Sequence, residues 1–71
     1  MITSEKIERV IKRLEKSYIY QFYYQDKEEF FKIYLKDLDG YEFCEVLLPE
    51  QREEDIERAF SLLIQTVEGE L

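Results

Sequence analysis

The side chains of this 71-residue sequence that could do chemistry are one thiol, 17 carboxylates and six phenols, with no histidine among them. Without histidine the chain lacks the commonest general base near neutral pH and the commonest metal ligand. Cys44 stands in the strand-like run Phe43-Cys44-Glu45-Val46, on what we expect to be the buried side, where a thiol is inert packing rather than a nucleophile. Asp37, Asp39, Gly40 and Glu42 suggest a calcium loop. Aligning Gly40 with that loop's required glycine, however, puts Leu35 and Val46 where the first and last carboxylates belong, which excludes an EF-hand. The only glycines are Gly40 and Gly69, so there is no glycine-rich phosphate loop. In a chain that is 38% charged, paired carboxylates arise by chance and single out no acid/base pair. The expectation is a protein without catalytic, cofactor-binding or metal-binding residues. Binding chemistry is left: six tyrosines and five phenylalanines bring the aromatic content to 15%, and such side chains dominate interface energetics.

The elements that must present those rings can be read from periodicity. Ile7, Val10, Ile11 and Leu14 recur at three- and four-residue spacing and predict an amphipathic helix over 4–16. Thr3 is its cap, Ile2 and Ile7 occupy the positions of a hydrophobic staple, and Lys12, Arg13 and Lys16 suit its C-terminal end. Aromatic and β-branched enrichment predicts strands over 17–25, 30–38 and 41–48. After Pro49, Ile56, Ala59, Phe60, Leu63, Ile64 and Val67 line one face of a second helix reaching Glu68, with Gly69 as its stop. Its first turns are acidic, and Glu54 precedes Arg58 by four residues as a supporting pair. The order is helix, three-stranded antiparallel meander, helix: a single α+β domain over 1–71, a two-layer sandwich.

Asp39-Gly40 is the strongest local signal, since this dipeptide suits a two-residue type I′ hairpin loop. That loop pairs Leu35 with Cys44, Ile33 with Val46, Phe31 with Leu48 and Asp37 with Glu42. The first three pairs would then lie under the helices. For the first hairpin we expect Tyr20 and Phe22 on the same inner side, opposite Ile33 and Phe31, because the other parity buries Gln21. The outer face then carries Ile19, Tyr23, Phe30, Tyr34, Tyr41, Phe43 and Leu47, interrupted by Gln21, Lys32, Lys36 and Glu45. So large an apolar patch on a small protein marks an interaction site. Tyr23, Phe30, Tyr34, Tyr41 and Phe43 are its anchors.

The formal net charge is −7, and it is unevenly distributed. Residues 1–16 carry five basic and three acidic side chains, whereas residues 43–71 carry two basic and eight acidic ones. Glu50, Glu53, Glu54 and Glu57 recur at helical spacing and would form one ridge on the second helix. Such a ridge either solubilises the chain or competes for a basic groove built to neutralise phosphates.

The element order is also that of the double-stranded RNA-binding domain. That module presents lysines at the start of its second helix, where this chain has Glu50, Arg52, Glu53, Glu54 and Asp55, so direct nucleic-acid binding through that surface is not expected. The strand FKIYLKDL, the turn at Asp39-Gly40, the strand YEFCEVLL and the acid-rich helix start EQREEDIERAF resemble the layout of small acidic phage-encoded anti-CRISPR inhibitors of Cas9. The resemblance implies a DNA mimic in which Asp37, Asp39, Glu42, Glu50, Glu53 and Glu54 occupy a site meant for DNA. This chain is shorter and has a basic first helix.

The leading expectation is a non-enzymatic binding module that engages a protein partner, or a second copy of itself, through the aromatic sheet face or the acidic ridge. The alternatives are a nucleic-acid-mimic inhibitor and a structural subunit of a homo-oligomer. A single cysteine and the lack of an apolar leader or long apolar run suggest a cytoplasmic location and no membrane association.

Overall fold

A computed structural model of the chain describes residues 1–69. Helix α1 spans Ser4–Glu15, strands β1, β2 and β3 span Gln21–Asp26, Phe31–Lys36 and Glu42–Leu47, and helix α2 spans Glu53–Glu68. The α+β layout is the one that periodicity predicts.

Thr3 caps α1, its Oγ1 accepting from the Lys6 N–H at 3.3 Å. Ile2 and Ile7, the staple positions, are both buried. The Ile2 N–H also donates to the Pro49 carbonyl at 2.8 Å, which ties the start of the chain to the end of β3. Helix α2 begins later than its apolar spacing suggests. The Gln51 side chain accepts from the Leu48 N–H at 2.7 Å and the Gln51 N–H donates to the Leu48 carbonyl at 3.0 Å. These bonds make a turn of residues 48–51, and the helix starts only after Arg52, whose N–H donates to Asp55 at 2.9 Å. Gly69 ends α2 with φ +72°, the left-handed conformation that glycine adopts without strain.

The three strands form one antiparallel sheet in the order β1-β2-β3. Helix α1 packs on β1, and α2 packs across β2 and β3. Both helices lie on the same face. Phe22, Phe31, Ile33, Leu35 and Leu47 from the sheet meet Ile7, Val10 and Ile11 of α1 and Ile56, Phe60, Leu63 and Ile64 of α2 in one buried cluster. Phe22 and Phe60 meet edge to face at 5.7 Å. The opposite sheet face has no covering layer among the described residues.

The β2–β3 register differs from the expected one by a single residue. Phe31 pairs with Leu47, Ile33 with Glu45, Leu35 with Phe43 and Lys36 with Glu42. The cause lies in the turn. The Asp37 carbonyl accepts from Gly40 N–H at 3.1 Å and the Asp37 N–H donates to the Tyr41 carbonyl at 2.9 Å, so the loop has three residues, Leu38, Asp39 and Gly40. Within the loop only Gly40 has positive φ, +89°, whereas a type I′ loop would also need Asp39 there. The Asp37 carboxylate stabilises the longer loop by accepting from the Asp39 and Tyr41 N–H groups at 3.0 and 2.9 Å. One extra loop residue turns every β3 side chain over. Phe43 and Leu47 therefore face the helices, while Cys44 and Val46 are exposed.

The first hairpin keeps the expected parity but not the expected partners. Phe22 is buried on the helix side, yet it pairs with Leu35, and Tyr24 pairs with Ile33. The Lys27 N–H donates to the Phe30 carbonyl at 2.9 Å, closing a tight loop at Glu28-Glu29. Strand β1 is accordingly set four residues later than expected. Tyr20 precedes it and is half-buried against the core.

Candidate interaction face

In an antiparallel ladder, residues directly opposite each other project to the same side. The uncovered face therefore carries Gln21, Tyr23 and Gln25 from β1, Lys32, Tyr34 and Lys36 from β2, and Glu42, Cys44 and Val46 from β3. At its centre Tyr23 and Tyr34, cross-strand partners, stack with centroids 4.7 Å apart and ring planes within 6°. The Lys32 ammonium sits 5.6 Å from the Tyr34 ring centroid, a cation–π contact. The Tyr34 hydroxyl donates to Gln25 Oε1 at 2.9 Å, and the Tyr23 hydroxyl donates to Glu42 Oε1. That bond is the main reason the Tyr23 phenol is pushed up to about 12. Partial burial and the Glu42 charge add to the shift, because ionisation would set a phenolate against a carboxylate. The two rings are thus fixed in place by their neighbours before anything binds.

Apolar groups continue from this pair to both ends of the face. Val46 is 51% and Leu48 46% exposed beside it, and Ile19, ahead of β1, and Leu38, in the loop after β2, are 74% and 70% exposed. Among the anchors expected from sequence, Tyr23 and Tyr34 come together here. Phe30 is half-buried at the Glu28-Glu29 turn, and Tyr41 is exposed just before the start of β3. Phe43 does not belong to the face, since the three-residue loop turns it toward the helices. Cys44 and Val46 take its place. The clue to them in the sequence is Asp37, two residues before Asp39, the position from which a carboxylate grips the backbone of a type I turn.

The acidic ridge is broken up. Glu50 lies in the turn ahead of α2 rather than on the helix. Arg9 of α1 pairs with Glu53 at 3.2 Å, and Arg13 pairs with Glu57. Arg52 lies 3.4 Å from Glu54, and Arg58 pairs with Asp55 at 2.7 Å rather than with Glu54. The arginines and glutamates at positions 9, 13, 52, 53, 54 and 57 line an open trough of about 610 Å³ between the helices, floored by Val10. Each carboxylate in the trough has an arginine partner. Among the described residues no three His, Cys, Asp or Glu side chains converge to hold a metal ion, and no helix is long and apolar enough to cross a membrane.

Both outer edges of the sheet are open, and each carries an acid on the helix side. Asp26 lies opposite Phe31 at the end of β1, and half-buried Glu45 lies opposite Ile33 in β3. Inward-pointing charges on edge strands oppose the addition of another strand. The sheet face is therefore better suited to contact than the sheet edges.

Comparison of the chain with family models, with curated proteins and with solved structures finds no match.

Proposed function

We propose that this protein is a binding module without catalytic activity, which acts by occupying a protein partner's surface with the outer face of its sheet. The observation that carries this reading is the fixed Tyr23–Tyr34 stack on a sheet face that neither helix covers. Rings held by Lys32, Gln25 and Glu42 lose little side-chain freedom on binding, and ordering entropy is a main cost of association. Cys44, Val46 and Leu48 add apolar area around them, and Lys32 and Lys36 supply a polar rim.

The acidic ridge supports a nucleic-acid mimic less well. A mimic needs a line of unneutralised charge, whereas Glu53 and Glu57 are bridged to Arg9 and Arg13 within the chain. Of the residues that the anti-CRISPR resemblance would assign to mimicry, Glu53 is neutralised by Arg9 and Glu54 lies beside Arg52.

The reading is tested with a photo-crosslinking amino acid placed singly at Tyr34, Val46, Glu57 or Ser61 in the cells that make the protein. Crosslinks to a protein, another copy included, are expected from positions 34 and 46 and not from 57 and 61. Crosslinks from 57 and 61 alone would transfer the activity to the helix side.

A further inference from the structure

We infer that the occupant of the outer sheet face is a second copy of this chain, packed face to face about a two-fold axis that runs along the strands between β2 and β3. This rests on the proposal that the face is the binding surface, and it adds the identity of the partner.

Charge comes first. Two copies of a chain with net charge −7 repel wherever acids are in excess. The outer face has no such excess, with Lys32 and Lys36 against the single acid Glu42. The ion pairs found among the described residues all use arginines, at positions 9, 13, 52 and 58, so among those residues neither lysine has a carboxylate partner within 4 Å. Glu42 uses Oε1 to accept from Tyr23, which leaves its other oxygen available to a cation.

Register supplies the geometry. Lys36 and Glu42 lie directly opposite each other on neighbouring strands. Rotation about an axis between those strands lays β2 of each copy over β3 of the other. Lys36 of each copy then meets Glu42 of the other, giving two ion pairs across an isologous interface. The same operation sets Tyr34 over the other copy's Cys44, and the apolar stem of Lys32 over its Val46. The side chains mesh in the roughly 10 Å between stacked sheets.

The overlap joins β2 and β3 of each copy, and β1 lies past the edge of the other copy's β3. The sheet side is the one with rings and no excess of acid, and edge-to-edge pairing is opposed by Asp26 and Glu45.

The experiment is analytical ultracentrifugation of the full chain across a wide concentration range, with circular dichroism to confirm folding. The expected result is a monomer–dimer equilibrium reaching twice the chain's mass. Lys36→Glu and Glu42→Lys should each weaken it roughly 100-fold, because each sets like charges against each other twice. Mixing the two variants, or combining them in one chain, should restore dimerisation. Val46→Arg, which leaves every charge pair intact, should also give a monomer. A wild-type chain that stays monomeric throughout would overturn the second copy as occupant, leaving the crosslinking experiment to decide separately whether the face binds another protein. A dimer indifferent to Lys36→Glu and Glu42→Lys, or one that the paired reversal fails to restore, would overturn it as well.

Discussion

The two faces of the sheet use the same kinds of residue to different ends. On the helix side Phe22, Phe31, Ile33, Leu35 and Leu47 are buried, their positions determined by packing against two helices. On the other side Tyr23 and Tyr34 are held by each other, by a cation and by two hydroxyl hydrogen bonds. Apolar area removed from water stabilises the fold on the first face. On the second, rings are kept rigid while part of their surface remains in solvent. A face organised without a covering layer suits binding, because little further ordering is needed when a partner arrives.

Adjacent residues of β3 test this contrast most sharply. Leu47→Ala should destabilise the monomer by about 2–5 kcal/mol in chemical denaturation, from lost burial and the cavity left behind. Val46→Ala should stay within about 0.5 kcal/mol. The reverse ranking would restore the two-residue loop and exchange the two faces of β3. Asp37→Ala should cost about 1 kcal/mol, since it removes the acceptor for the Asp39 and Tyr41 N–H groups and with it the preference for the three-residue loop. Nuclear Overhauser contacts between Leu35 and Phe43 in the variant report whether the register persists.

The outer face has its own signature in alkali. A folded-state phenol raised to about 12 from an ordinary 10 means that the native protein holds the Tyr23 proton more tightly than the unfolded chain. The stability from this linkage is fully present below pH 10 and is lost as pH rises through about 12. Ultraviolet titration should show Tyr23 ionising late, with Tyr20 also raised by burial and its hydrogen bond to Glu68, and Glu42→Gln should bring Tyr23 alone back toward 10. The smallest effect is expected at the helix trough. Removing the Arg9–Glu53 or Arg13–Glu57 pair by Glu→Gln should cost about 0.2–1 kcal/mol, because both pairs are exposed and screened by salt.

The hairpins show where local sequence is and is not decisive. Asp39-Gly40 correctly marks a reversal, and Gly40 does take the positive φ, but loop length depends on whether a carboxylate at position 37 accepts from the backbone beyond it. The expected register also looked self-consistent because Cys44, Val46 and Leu48 are as apolar as Phe43 and Leu47. A strand with nonpolar residues at both parities leaves hydrophobic pattern unable to choose between its faces. At the other hairpin Glu28-Glu29 makes a tight two-residue loop with no glycine to announce it. The acidic ridge was legible as spacing alone, since its neutralisation needs Arg9 and Arg13, more than 40 residues away.

From the amino-acid order alone follow the two amphipathic helices, the Thr3 cap with its Ile2–Ile7 staple, the Gly69 stop, three strands and the α+β class, because each depends on propensities and periodicities within a few residues. Tertiary packing decided that both helices share one side of the sheet, which way β3 faces, and which glutamates are neutralised. Those outcomes depend on contacts between segments distant along the chain, where a shift of one residue exchanges buried and exposed side chains without altering composition or period.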